Sequence, residues 1–289
     1  MDFTAIDVET ANPDLSSICQ IGVVQFRQGA IAHRWKSLIN PQDYFDPVNV
    51  GIHGIDEAAV RSAPLFEDIK PTLDELVCST VLCCHTAFDR AAIRAVHEKH
   101  GLAHPELTWL DTARVVRRTW PERSRSGYGL GPVAEMLGIS FAHHDAEEDA
   151  RASGEILLRA IAHTGLSVTD WLVRVEQPIT SAASDGSHGS HAREGNPEGP
   201  LYGETVVFTG TLSFTRSEAA TIAAKAGCAV ADSVSAKTTL LVVGDQDIRV
   251  LHGQTKSTKH RKAEELIEKG KGIRILREHD FVTLVAQSR

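Results

Sequence analysis

One stretch of low apolar content divides this chain of 289 residues into two parts. Residues 179–200, ITSAASDGSHGSHAREGNPEGP, contain almost no large apolar side chain. Such a segment cannot offset its ordering entropy by burying apolar surface, so we predict a flexible linker. The prediction is therefore one domain over 1–175, a linker over 176–200 and a second domain over 201–289.

The first part begins with three segments of strand character, and strands then alternate with helices. This order predicts an α/β fold in which helices cover a mixed sheet. The predicted strands are Phe3–Val8, Cys19–Arg27 and Ala30–Ile39, with a tight turn at Gln28-Gly29, then Thr80–Cys84 and Trp109–Asp111. The predicted helices are Leu65–Val77, in which Pro71 is a potential break or kink, Phe88–Lys99 and Asp145–Ala162.

Four carboxylates stand at the ends of these elements. Asp7 and Glu9 lie two apart on a strand, so both side chains face one side of the sheet. Asp89 follows a strand where a helix begins, and Asp149 lies five residues after His144 in the first turns of the last helix. Each also has a purely structural interpretation, as a strand end, a helix N-cap or a solvated acidic helix start.

In combination, these residues resemble the DEDDh exonuclease family, which includes the proofreading subunit of bacterial replicative polymerases and ribonuclease T. The resemblance covers residues 2–165. The family motifs DxE, HNxxFD and HxxxxD match Asp7-Val-Glu9, His85-Thr-Ala-Phe88-Asp89 and His144-Asp-Ala-Glu-Glu-Asp149. In the second motif, His85 stands where the family has Asn, and Cys84 stands where it has His.

The resemblance implies a ribonuclease H-like fold and two-metal hydrolysis of phosphodiester bonds. Hard Mg²⁺ or Mn²⁺ ions prefer carboxylate oxygens, and two ions can clamp the attacking and leaving oxygens. By resemblance, Asp7 bridges both ions, Glu9 and Asp149 serve the ion with the nucleophilic water, and Asp89 supports the second ion. His144 is the general base, since an imidazole titrates near neutral pH.

The same resemblance implies contacts with the terminal nucleotide. Thr10 follows the DxE motif, His53 belongs to an HG pair, and Phe88 offers an aromatic face on which a base can stack. Each of the three also has a core or turn explanation. His143 is an alternative to His144 as general base, although the HxxxxD spacing favours His144.

The second part shows short strands and helices typical of a small βαβ domain with a parallel sheet. It resembles the BRCT family over 201–287, in the branch of NAD-dependent DNA ligases and the large subunit of eukaryotic clamp loaders. The motifs are Val207-Phe-Thr-Gly-Thr-Leu, Arg216-Ser-Glu-Ala, Gly227-Cys, Val234-Ser-Ala-Lys-Thr-Thr-Leu-Leu-Val and Lys259-His-Arg-Lys-Ala-Glu-Glu-Leu.

Many BRCT domains bind a phosphate, and the matching residues here are Thr209, Gly210 and Lys259. A hydroxyl, a backbone N–H and an ammonium group would converge beside helix N-termini. Arg216 matches an arginine of the branch associated with 5′-phosphorylated DNA ends. The alternative is that Thr209-Gly210 only builds a turn and the lysines are solvated. Two other lysines are alternatives to Lys259, namely Lys256 and Lys262.

The net charge of −8 is divided unevenly between the two parts. Residues 1–175 carry 16 Lys and Arg against 24 Asp and Glu, whereas residues 203–289 carry 13 against 10. An acidic first part is expected where carboxylates are reserved for metal ions. A basic second part suits docking of a polyanion.

Two further patterns concern the cell compartment. No window holds ~18 unbroken apolar residues, and the N-terminus lacks the build of a secretory signal, so we expect a cytoplasmic protein without a membrane partner. The five cysteines are an odd number without a CxxC pair, which predicts reduced core thiols and argues against zinc.

The leading hypothesis is a 3′→5′ exonuclease that acts on DNA in replication or repair. Its BRCT module would bind a 5′-phosphate end or a protein partner. Two alternatives are an RNA-directed 3′→5′ exoribonuclease, since a two-metal site acts on phosphates and not on the sugar, and a non-catalytic BRCT-bearing adaptor. That all five catalytic positions are filled argues against the adaptor.

Overall fold

A computed structural model describes residues 1–121, 128–177, 193–210, 212–213, 215–244 and 256–286. The chain divides into two compact units after Gln177. The five cysteines, all within these ranges, form no disulfide; four of them are buried as predicted, but Cys78 is exposed. Within the described ranges, no helix has both the length and the apolar character that crossing a bilayer requires.

The first unit contains a five-stranded sheet of order β3-β2-β1-β4-β5. The first three strands pair antiparallel, whereas β4 pairs parallel with β1 and with β5. The predicted mixed sheet is therefore confirmed. The strands are β1 (Phe3–Thr10), β2 (Ile18–Arg27), β3 (Ala30–Leu38), β4 (Val81–Cys84) and β5 (Thr108–Asp111).

Eight helices in the described part of this unit flank the sheet. The third helix continues through Pro71, because a proline in the second turn forfeits only one hydrogen bond near the helix start. Of the two possibilities at Pro71, the break is therefore wrong. The helices are α1 (Pro47–His53), α2 (Glu57–Val60), α3 (Phe66–Val77), α4 (Phe88–Lys99), α5 (Thr112–Thr119), α6 (Leu130–Leu137), α7 (Ala146–Thr164) and α8 (Val168–Glu176).

The first turn of α7 lies directly on the backbone of β2. A Cβ atom at Gly22 would lie 2.1 Å from the backbone N of Glu147, so only glycine permits this approach. Beside it, the N–H of Ala146 donates to Oε1 of the buried Gln20 at 2.9 Å. These two residues of β2 fix the point at which α7 begins, and with it the position of His144.

The second unit contains a parallel sheet, as predicted, and its four strands have the order β7-β6-β8-β9. Its core includes Val207, Leu241, Ala263 and Ile273, all fully buried. The elements are β6 (Thr205–Thr209), α9 (Arg216–Ala226), β7 (Ala229–Val230), β8 (Leu240–Val243), α10 (Thr258–Glu268), β9 (Arg274–Arg277) and α11 (Glu278–Ala286).

The C-terminal end of the predicted linker is held against the second unit. Arg193 forms an antiparallel bridge with Val230, and the N–H of Asn196 donates to the Ala224 carbonyl at 2.8 Å. A Cβ atom at Gly195 would lie 1.8 Å from the carbonyl oxygen of Gly227. Here glycine permits close packing, so residues 193–200 differ from the flexible chain that composition indicated; residues 178–192 lie outside the described part.

Candidate active site

Asp89 reaches the C-terminal half of β1 through a backbone hydrogen bond. Its Oδ1 accepts from the N–H of Val8 at 3.1 Å, beyond the point where β4 pairs with β1. Val8 lies between Asp7 and Glu9, so this bond places Asp89 beside both. Asp89 is fully buried and is the second residue of α4, whose N-cap is Ala87, so the N-cap interpretation is wrong.

The strand register places the α7 contact opposite the DxE pair. Asp7 pairs with Gly22 and Glu9 pairs with Gln20 across β1 and β2. Directly paired residues of an antiparallel pair lie on the same face of the sheet. Because α7 begins against Gly22 and Gln20, it brings its own acidic residue, Asp149, to the face that carries Asp7 and Glu9.

Glu9, His144 and Asp149 form a cluster that is able to hold a metal ion. One ligand atom from each lies within 4.8 Å of the others, and Nδ1 of His144 is 4.0 Å from Oε1 of Glu9. The backbone N–H of His144 donates to Oδ2 of the buried Asp149 at 3.2 Å. His144 has φ +63°, a region in which histidine is enriched, and its side chain is 41% exposed.

The pKa of Cys84 reflects its burial and the negative charges around it. Burial raises the pKa of its thiol well above the ordinary value, and the negative charges of Asp89, Asp111 and Asp7 raise it further. Three carboxylates thus lie close enough to one buried thiol to act on it electrostatically. Such a set of hard oxygen donors fits a divalent cation, whose charge would offset their mutual repulsion.

Ion pairs from β3 anchor the start of α7. Asp145 caps the helix by accepting from the N–H groups of Glu147 and Glu148 at 3.1 and 3.3 Å, and Lys36 contacts Asp145 at 2.6 Å. Arg34 contacts both glutamates. Hydrogen bonds from Arg151 and Arg34 lower the pKa of Glu148 to about 2. The acidic helix start is therefore paired with cations and not merely solvated.

His143 packs on α6, and its ring centroid is 5.4 Å from that of His144. Its ring centroid is 4.2 Å from that of Phe141, and a Cβ atom at Gly131 would lie 2.5 Å from its Nε2. Burial lowers the pKa of His143. These contacts explain the residue without catalysis, in agreement with the preference for His144.

Thr10 and His53, two of the predicted substrate contacts, are joined to each other. Nε2 of His53 lies 3.1 Å from the Thr10 carbonyl oxygen, and Nδ1 accepts from the N–H of Ile55 at 3.0 Å. These partners require the neutral tautomer with the proton on Nε2, and burial lowers the pKa of His53 accordingly. Asn49, which the sequence did not single out, donates to the same carbonyl at 2.9 Å.

The turn before Asp89 differs from the family motif at Cys84 and His85. His85 is buried, with Nδ1 2.8 Å from Oγ1 of Thr112 and Nε2 2.7 Å from the Tyr128 carbonyl oxygen. It thereby links the turn before α4 to the first residue of α5 and to the segment before α6. Phe88, the third predicted substrate contact, is the buried first residue of α4.

The four predicted phosphate ligands of the second unit meet at the C-terminal end of β6. Oγ1 of Thr209 lies 2.7 Å from Oγ of Ser257, Lys259 donates to the Phe208 carbonyl at 3.0 Å, and Arg216 donates to the Gly210 carbonyl. Burial lowers the pKa of Lys259, and the neighbouring Arg216 lowers it further. The two alternative lysines are paired with glutamates, Lys256 with Glu264 and Lys262 with Glu265.

Comparisons with known proteins match both units. The Exonuclease (RNase_T) family model matches residues 4–157, and the BRCA1 C Terminus (BRCT) domain model matches residues 196–285. A DNA polymerase III PolC-type protein of Caldanaerobacter subterraneus is 32% identical over 166 residues, covering 55% of this chain and 12% of that protein. The Streptococcus pneumoniae counterpart is 28% identical over 159 residues, covering 54% of this chain and 11% of that protein.

A solved structure shares the fold of the first unit. It is the nuclease domain of 3′hExo, a DEDDh family member, bound to rAMP, with a TM-score of 0.50 and 18% identity over 56% of this chain and 92% of that one. The chain spans only about a tenth of the length of the polymerase relatives. Since the exonuclease model covers more than half of the sequence, the chain belongs to the exonuclease family and carries a BRCT domain at its C-terminal end.

Proposed function

We propose that this chain is a divalent-metal-dependent 3′→5′ exonuclease of the DEDDh type that acts on DNA. The observation that carries the proposal is the grouping of Glu9, His144 and Asp149 on the sheet face of Asp7, with Asp89 bonded beside it. The resemblance of the first unit to polymerase III chains favours DNA. RNA is the second candidate substrate, because the fold neighbour is bound to a ribonucleotide.

The carboxylates would hold Mg²⁺ or Mn²⁺, and His144 would act on the attacking water. Asp7, Glu9, Asp89 and Asp149 offer only oxygen donors, as hard divalent ions prefer. When bound, two such ions supply Lewis-acid stabilisation of charge on the attacking and leaving oxygens. The partly exposed imidazole of His144 accepts a proton from the water, and its backbone bond to Asp149 keeps base and ligand in register.

An assay with labelled oligomers tests polarity and substrate together. With Mg²⁺ or Mn²⁺, a single-stranded DNA oligomer labelled at its 3′ end should release a labelled mononucleotide at once, while a 5′-labelled one shortens stepwise. A chelator should stop both reactions, because the carboxylates alone do not activate water. A matched RNA oligomer should be digested more slowly. Early release of the 5′ label would contradict the polarity, and faster digestion of RNA would move the proposal to that substrate.

We further propose that the BRCT domain binds the 5′-phosphate of a DNA end. The support is the convergence of Lys259, Arg216 and the Thr209-Gly210 pair at one end of β6. Lowered pKa values mark both cations as partly desolvated, the condition in which a phosphate would gain most from them. A protein partner in replication or repair is the alternative ligand.

Binding of matched duplexes tests this site. At fixed salt, a 5′-phosphorylated duplex should bind about 10- to 100-fold tighter than its 5′-hydroxyl twin, since charge-assisted hydrogen bonds contribute ~1.5–3 kcal/mol. Lys259→Ala should erase this preference in a fluorescence anisotropy titration. Lys262→Ala removes the same charge from a lysine paired with Glu265 and should preserve it. Equal binding of the two duplexes by the wild type would leave the protein partner as the ligand.

A further inference from the structure

The turn between β4 and α4 contains a strained residue. Thr86 has φ +82°, and a β-branched residue in this region is a strained backbone outlier. Such a conformation persists only where surrounding groups hold it. Three residues later comes Asp89, whose carboxylate bonds to the N–H of Val8. The strained turn is therefore the last stretch of backbone before a predicted metal ligand.

Hydrogen bonds hold Thr86 on both sides. Its N–H donates to Oδ1 of Asp111 at 3.1 Å, and its carbonyl oxygen accepts from the thiol of Cys84 at 3.0 Å. Cys84 and Asp111 are themselves paired in the parallel register of β4 and β5. The groups that fix the turn thus come from the ends of two neighbouring strands, and both are positioned by the sheet.

Asp111 is a mostly buried carboxylate with two tasks. Its side chain is 13% exposed, and the same Oδ1 that holds Thr86 also caps α5, accepting from the N–H of Ala113 at 2.8 Å. Its Oδ2 is buried and makes no hydrogen bond within the described residues, and Nη2 of the buried Arg117 is 4.0 Å away. Helix capping alone does not require this reach across to the β4–α4 turn.

We propose that Asp111 is a positioning residue for Asp89, which it serves by holding the Thr86 turn in its left-handed conformation. The inference rests on the proposed function, in which Asp89 is a metal ligand. Without this bond the turn relaxes towards negative φ, the start of α4 shifts, and the Asp89 carboxylate leaves its place beside Asp7. Loss of outer partners of metal ligands typically costs 10- to 100-fold in metal affinity or activity.

Asp111→Ser separates the two tasks of the residue. Serine is a good helix N-cap, so α5 keeps its cap, but its hydroxyl is too short to reach Thr86. We expect the variant to lose about 10- to 100-fold in Mn²⁺ affinity by calorimetry, and a similar factor in kcat. Its melting curve by circular dichroism should stay close to that of the wild type. Asp111→Asn keeps an acceptor at Oδ1 and should recover most of the loss.

Combining Asp111→Ser with Thr86→Gly distinguishes the positioning role from a merely structural role of Asp111. Glycine adopts positive φ without strain, so a turn with glycine at 86 needs no holding group. In the Thr86→Gly background, most of the loss caused by Asp111→Ser should disappear. The matched control is Ser79→Gly, since Ser79 also has positive φ, +65°, but precedes β4. It should give no rescue.

The outcomes separate this inference from the proposed function. A wild-type protein that neither binds Mn²⁺ nor digests DNA would overturn both. A second outcome would overturn the positioning role alone. In it the wild type is active, and Asp111→Ser lowers Mn²⁺ affinity and kcat by the same factor whether residue 86 is threonine or glycine. An Asp111→Ser protein with unchanged Mn²⁺ affinity would also overturn that role. If Asp111→Ser proves unfolded, Asp111→Thr takes its place, because threonine also caps a helix with a hydroxyl too short to reach residue 86. Its loss is compared with threonine and with glycine at 86, and a loss that glycine does not reduce counts against the proposal.

Discussion

Asp7→Asn is expected to lower kcat on DNA at least ~10³-fold while the protein remains folded. A bound divalent ion contributes several kcal/mol of charge stabilisation, and ~4 kcal/mol corresponds to ~10³ in rate. Asparagine keeps the shape of the side chain and removes the charge that the ion needs. Asp7 is buried, pairs with Gly22 across the sheet and precedes Val8, whose N–H bonds to Asp89, so we propose that its charge acts directly on the ions.

Without metal, Asp7→Asn should not lower the melting temperature, although it lowers kcat. Clustered carboxylates repel one another when no cation is bound, so removing one should leave the melting temperature of the metal-free variant equal to or above that of the wild type. Mn²⁺ should then raise the melting temperature of the wild type more than that of the variant, because only a tightly bound ion shifts the unfolding equilibrium.

The control for Asp7→Asn is Asp43→Asn. Asp43 is a surface carboxylate that contacts Lys99 at 3.2 Å, outside the carboxylate cluster. Its replacement should leave both kcat and the response to Mn²⁺ near the wild-type values. An Asp7→Asn protein with activity within tenfold of the wild type would contradict the assignment of Asp7 as a ligand.

Periodicity in the sequence predicts most of this fold because the strands are short apolar runs and α7 has a regular apolar face. On α7 the apolar residues that recur at helical spacing in the sequence are all buried, namely Ala146, Ala150, Leu157 and Ile161. The ligand motifs are visible because their spacing is local to one strand or one helix. The helices α1 and α2 were not predicted, since they have four to seven residues and lack an apolar period.

The supporting residues could not be predicted because their partners are backbone groups far away in the chain. Gln20 accepts from Ala146 across 126 residues, and Asp111 accepts from Thr86 across 25. Neither bond leaves a pattern in the sequence, since any backbone N–H can be the donor. The prediction of flexibility at Gly195 was wrong for another reason. Composition treats a glycine as a source of flexibility, but Gly195 packs closely against the backbone of Gly227.

His144→Asn should lower kcat by about 10²- to 10⁴-fold, the usual contribution of a general base. Asparagine tolerates the left-handed backbone that His144 adopts at φ +63°, so the loop and its N–H bond to Asp149 should survive. Mn²⁺ affinity should change far less than kcat, because the four carboxylates remain. His143→Asn is the matched control, since the same substitution one residue earlier removes a ring that packs on Phe141 and Gly131 and lies 5.4 Å from the His144 ring without reaching the carboxylates as a base.

The pH dependence of kcat tests whether His144 is the general base. A protonated imidazole accepts no further proton, so wild-type kcat should fall as the pH is lowered, and His143→Asn should show the same acid limb. In His144→Asn the residual rate should lose that limb, because the group whose protonation stops the reaction is gone. A variant that retains the wild-type limb and a rate within tenfold of the wild type would remove His144 from the chemistry. The proton would then pass to another acceptor, and Glu9, whose Oε1 lies 4.0 Å from His144 Nδ1, would be the next residue to replace.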